Sequence, residues 1–291
     1  MKDTDTDLKA IQEMRATFKA NTLVNVMLRL DFNPLITTEK STAFLQDELC
    51  AKGFEYREDF LQESEMRLND PIERDDRIFP QKLENERVYR FILEDKIFSF
   101  SRFFLIYQIS PFSQNFTEDI KYFSYLITQL KGILPYLHIK RLGIRKTNLV
   151  IAENFDQLFN CFNNDYLPIS AKNKVSSKDF GVFESQENFF DRNMQVACNI
   201  KKRLESGEMQ IFDGKKELGT RDVLRFILEV ETYSRGEKAL TNSENYVDKL
   251  NQMNTAAFLL YFEHLTAHFF TQLTQGNTND LLAGVKLNVP V

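Results

Sequence analysis

Apolar residues recur along this chain with two periods, one of two residues and one between three and four, and the alternation marks out strands and helices. At 24–32, Val24, Val26, Leu28, Leu30 and Phe32 share one face while Asn25, Met27, Arg29 and Asp31 share the other, as in a half-buried antiparallel strand ended by Pro34. A short helix over 7–19 is predicted ahead of it. A helix over 38–52 follows, with Thr37 as N-cap, Phe44, Leu45 and Leu49 inward, and Gly53 as the stop. Tyr56, Phe60, Met66 and Leu68 predict a strand over 55–68, and NDPIERDDR a solvated turn. The alternation of 87–108, interrupted near Asp95 and Lys96, predicts a hairpin; Phe116, Ile120, Phe123, Leu126, Leu130 and Leu134 predict a helix over 116–134.

The central stretch is 138–151, HIKRLGIRKTNLVI. In an extended strand, Ile139, Arg141, Gly143, Arg145, Thr147 and Leu149 take one face, and Leu142, Ile144, Lys146, Asn148 and Val150 the other. Two guanidiniums thus flank a bare glycine, which marks a bulge or a close approach. Arginine forks suit carboxylate or phosphate oxygens, so Arg141, Gly143, Arg145 and Asn148 are the candidate contact for an anionic ligand or a partner. The structural alternative pairs both arginines with glutamates on neighbouring strands, uses Gly143 to ease twist, and has Asn148 end the strand by bonding local backbone.

Beyond it, Phe155, Leu158, Phe159 and Phe162 predict a short helix. Periodicity is lost across 163–187, read as a linker or long excursion. Three antiparallel strands are then predicted, with turns at 205–207 and at Asp213-Gly214, and a single long helix over 242–274 stopped by Gly276. The expected fold is α+β, antiparallel sheets packed with long amphipathic helices in two similar-sized β-rich halves, 1–162 and 188–291.

Composition narrows the functional classes. Of 291 residues 43% are apolar, with 27 Phe and no Trp, which predicts a globular chain with a phenylalanine-rich interior. A net charge of −5 argues against broad capture of nucleic acid. Cys50, Cys161 and Cys198 are odd in number and far apart, suggesting neither disulfides nor a zinc site and fitting a cytoplasmic setting. The acidic start lacks an apolar leader and no run is long enough to span a bilayer, so no membrane is expected.

Candidate chemistry is sparse. His264 and His268 lie four apart beside Glu263, but H-x-x-x-H without the internal glutamate reads as helix-boundary histidines, and no metal or other cofactor is assigned. Glu55, Glu58, Asp59, Glu63 and Glu65 read as a solvated face rather than a metal-dependent nuclease site. There is no phosphate-binding loop, dinucleotide fingerprint or nucleophile elbow, and no catalytic residue is assigned.

The segment RLGIRKTNL, Arg141 to Leu149, resembles the R-x-G-x-R-x-x-N signature of an uncharacterised, sporadically distributed prokaryotic family. VNVMLRLDFNPL resembles that family's opening strand, DKIFSFSRFFLIY its central hairpin and FLLYFEHLTAHFF its closing helix. Lys146 stands where the family would carry an aromatic, and the opening strand lacks its usual proline and glutamate. The resemblance implies no known activity; its patchy occurrence implies accessory genes such as phage defence. A non-catalytic binding or regulatory protein with a protein partner is therefore expected, with a sensor or enzyme for a phosphate-containing molecule as the alternative, and a homodimer in keeping with the commonness of symmetric assembly.

Overall fold

The computed structural model describes residues 14, 17–20, 22–60, 87–110, 116–163, 167, 182–213, 216–235 and 245–276. Among them are nine strands: β1 (Leu23–Phe32), β2 (Glu55–Phe60), β3 (Arg87–Leu93), β4 (Lys96–Phe100), β5 (Phe104–Ile109), β6 (Ile139–Ala152), β7 (Val182–Asp191), β8 (Val196–Asp213) and β9 (Lys216–Arg235). The helices are α1 (Glu39–Cys50), α2 (Phe116–Ile133), α3 (Phe155–Cys161), α4 (Tyr246–His264) and α5 (Ala267–Gln275). The strands form a mixed α/β fold's single antiparallel sheet in the order β2-β3-β4-β5-β1-β6-β9-β8-β7. No helix among the described residues is long and apolar enough to cross a membrane.

The chain divides into two compact units, one of 1–25, 145–232 and 251–291, the other of 26–144 and 233–250. In the second unit a lateral row in register, Tyr56, Phe91, Phe98, Tyr107 and Leu28, crosses five strands. Phe98 and Tyr107 stack with centroids 3.9 Å apart, and Tyr122 and Phe123 of α2 pack onto that pair. Strand alternation sends Met27, Phe104, Ile106 and Val88 to the opposite face, where they form a second cluster. Buried Arg29 belongs to that face; it bonds Asp31 at 2.8 Å and lies over the Phe104 ring. The hairpin predicted over 87–108 is a three-stranded meander, β3 to β5, whose first turn holds Glu94 at a positive φ of 51°.

In the first unit, Val196, Cys198, Ile200 and Leu204 of β8 and Leu224, Phe226 and Leu228 of β9 are buried. Phe162 packs edge-on against Phe226 at 4.7 Å and tilted against Phe269 of α5 at 5.9 Å. Two sequence expectations are corrected here. The turn at 205–207 does not form, because β8 runs straight through it: Arg225 of β9 lies against Gly207, 3.2 Å from where a Cβ would stand, and bonds Glu205 at 3.0 Å. Gly207 thus serves a close approach rather than a turn. The single closing helix is broken at 265–266. Thr266 caps α5 by accepting from the Phe269 amide, its hydroxyl also bonds the Asn160 carbonyl, and Leu265 bridges to Phe162.

β1, α1, α2, β6 and α3 lie where periodicity placed them. For α1 the N-cap position is Thr38 rather than Thr37, and it makes no side-chain capping bond. Most of the helix predicted over 7–19, the strand residues past Phe60, NDPIERDDR and most of 163–181 lie outside the described residues. β7 begins at Val182, inside the stretch read as an excursion.

Candidate functional site

The four residues singled out in the sequence all lie on β6, and the three with polar side chains engage internal groups. Arg141 is 7% exposed, with its guanidinium 4.2 Å from the centroid of the Tyr233 ring. Gly143 is buried. Arg145 reaches Glu231 of β9 at 3.5 Å, both side chains nearly buried, the strand-to-strand pairing anticipated for a structural role. Asn148 does not end the strand. It is buried, its Nδ2 donates to the Leu228 carbonyl at 3.4 Å, and its Oδ1 accepts from the Thr22 hydroxyl, which lies 2.7 Å from Tyr261 Oη. Arg141 and Gly143 belong to one unit, Arg145 and Asn148 to the other. Asn148, Lys146 and Tyr261 border a 210 Å³ cavity in the first unit, where burial raises the Tyr261 pKa and keeps its hydroxyl protonated.

The two histidines fall on different helices. His264 ends α4, is buried, and contacts the Leu260 carbonyl through Nδ1; its pKa is pushed down to about 4, chiefly by burial. His268 sits in α5 with Nε2 3.0 Å from Gln272. The helix break thus removes the i,i+4 geometry that would aim both rings at one ion. The buried Cys198 thiol is raised to about 11 by burial, away from nucleophilic chemistry.

Two features were not found from the sequence. One is a 490 Å³ cleft in the second unit, bordered by Lys52, Lys96, Tyr107, Asp119 and Tyr122. Asp119, buried in the first turn of α2, accepts from Tyr107 Oη at 2.6 Å and from Lys96 Nζ at 2.8 Å. Burial, then that hydrogen bond, drives the Tyr107 pKa strongly up. Lys52 Nζ lies 4.5 Å from the Tyr122 ring centroid, and the Tyr122 hydroxyl is enclosed without a hydrogen-bond partner among the described residues. The only early sign was an aspartate at a helix start, which usually serves the helix dipole alone.

The other is β7. It is the terminal strand beyond β8, none of its residues is buried, and it exposes Val182 (63%), Phe183 (36%), Phe189 (42%) and Phe190 (55%). Phe183 and Phe189 pair with Leu204 and Cys198, extending the buried face of β8; Val182 and Phe190 take the opposite face. Its glutamates are held by β8 lysines, Glu184 by Lys201 at 3.2 Å and Glu187 by the buried Lys202. Apolar residues on both faces hide the alternation that marks a strand, which is why it was read as excursion.

No family model matches the chain and no curated protein matches it. Its function has to be read from its own residues.

Proposed function

We propose that this is a non-catalytic binding or regulatory protein that engages a protein partner, and that β7 is the contact. The observation that carries this reading is the outer edge of β7, which presents unpaired strand backbone together with four exposed apolar side chains among the described residues. Such edges are sites of strand addition, and folds that do not use them cover or charge them. The β6 arginines fit a supporting role better, since their guanidiniums face Tyr233 and Glu231. The resemblance carried by Arg141 to Leu149 supports an accessory-genome, phage-defence setting.

The test is co-purification from the native host, with a second, differently tagged copy of the chain present. Wild type is compared with a Phe189→Lys, Phe190→Lys variant. A stoichiometric protein lost in the variant is expected. Retention of every co-purifying protein by the variant, or substrate turnover abolished by a single carboxylate change, would sink the reading.

The cleft favours a second reading, a sensor or enzyme for a phosphate-containing small molecule. Lys52 supplies a cation at its border and Tyr122 a hydroxyl unmet among the described residues. Thermal shifts by nucleotides, lost in Lys52→Ala, would support it.

A further inference from the structure

The composition of β7 constrains its partner more tightly than exposure alone. When two copies of one strand pair antiparallel, directly opposed side chains share a face, and hydrogen bonds form only between residues that point their backbone groups outward. Both conditions require residues of equal parity to oppose one another. The two-fold axis must therefore pass through a residue, not between two.

For β7, VFESQENFFD, this leaves few registers. Centred on Gln186, Val182 opposes Phe190 of the second copy and Phe183 opposes Phe189. Glu184 then faces Asn188, Ser185 faces Glu187, and Gln186 faces itself. All four exposed apolar residues meet apolar ones, on both faces of the strand, and no acidic residue meets another. Centring on Ser185 sets Phe183 against Glu187 and leaves Phe189 and Phe190 unopposed by β7; centring on Glu187 opposes that carboxylate to its own copy and sets Phe183 against Asp191. Because Lys201 and Lys202 already hold the glutamates, two such edges approach with little like-charge repulsion.

We propose that the occupant of the β7 edge is a second copy of this chain, paired antiparallel about Gln186, so that the sheet continues across a two-fold axis. This rests on the reading of β7 as the contact surface, and it names the partner.

Sedimentation velocity on the full chain across a concentration series tests it, together with cysteine trapping in a Cys50→Ser background, since Cys161 and Cys198 are buried. At the two-fold position Cα atoms stand about 5 Å apart, within disulfide reach, whereas position 184 is displaced from its own copy by four residues, roughly 14 Å. The expected result is a concentration-dependent dimer that Gln186→Cys locks under mild oxidation, that Glu184→Cys does not, and whose affinity falls at least about tenfold in Phe183→Lys, Phe189→Lys. Circular dichroism of that variant confirms the fold, and the trapping result stands without it. A chain that is monomeric at every concentration overturns the proposal. So does a dimer that Gln186→Cys fails to lock. A monomeric wild type that still loses a different protein on Phe189→Lys, Phe190→Lys substitution overturns the self-pairing while leaving β7 as a contact.

Discussion

The two terminal strands of the sheet, β2 and β7, hold the same topological rank and opposite chemistry. β2, EYREDF, carries a charge at most positions: Arg57 lies 3.7 Å from Glu55, and Glu58 and Asp59 pair with Arg87 and Arg90 of β3 at 2.6 and 3.2 Å. A strand so charged is a poor template for another chain, since addition would bury those groups. β7 offers phenylalanine where β2 offers carboxylate, and its glutamates are already neutralised by β8. Edge position alone therefore predicts nothing about association: the neighbouring strand answers carboxylates at both ends of the sheet, and what separates the two is the exposed phenylalanine that β7 carries where β2 carries charge.

That contrast can be broken in graded ways. The largest effect is expected inward of β2, in the aromatic row. Phe98→Ala should cost about 3–5 kcal/mol by urea unfolding, because Phe98 is fully buried between Phe91 and Tyr107. Phe189→Ala, half in solvent, should cost under about 1 kcal/mol at concentrations where the chain is monomeric. Equal losses would mean that β7 is not an open edge.

An intermediate effect is expected at Glu187. Substitution by Gln deprives the buried Lys202 ammonium of its carboxylate and should cost about 1–3 kcal/mol.

The same carboxylate bears on His264, whose lowered pKa is eased upward by Glu187 and depressed by Lys202. A histidine held near 4 in the fold and near 6.5 when unfolded binds fewer protons in the native state between those values. Its contribution is therefore present above about pH 6.5 and is lost as pH falls toward 4, with a limiting slope of about 1.4 kcal/mol per pH unit. Denaturation midpoints measured across that window should flatten in His264→Gln, and Glu187→Gln should deepen the acid loss. The smallest effect is expected at β2 itself: Arg57→Ala, in an exposed pair, should change stability by less than about 0.5 kcal/mol and leave the sedimentation of the chain unaltered.

The ease with which elements were read from the sequence follows how one-sided their burial is. α2 is buried mainly along one face, so its period is clean; β1 is covered on both faces at its end, but it alternates apolar with polar residues and reads as clearly. The α4–α5 break was hidden because its causes are tertiary: Thr266 reaches Asn160 and Leu265 reaches Phe162, contacts more than a hundred residues apart in sequence. Gly207 misled for a related reason, since a glycine that admits a guanidinium looks like a glycine that turns the chain. At β6 the sequence placed Arg141, Gly143, Arg145 and Asn148 on one strand, but their partners Tyr233, Glu231, Leu228 and Thr22 come from distant segments that no local pattern names. The cleft around Asp119 likewise gathers its groups from the segment after α1, from α2 and from the meander.

The division of the chain into two interleaved units has a consequence for its genetics. The backbone passes between the units four times, inside β1, β6, β9 and α4. Neither unit is a contiguous reading frame, so no single uninterrupted segment of the gene encodes one unit without part of the other.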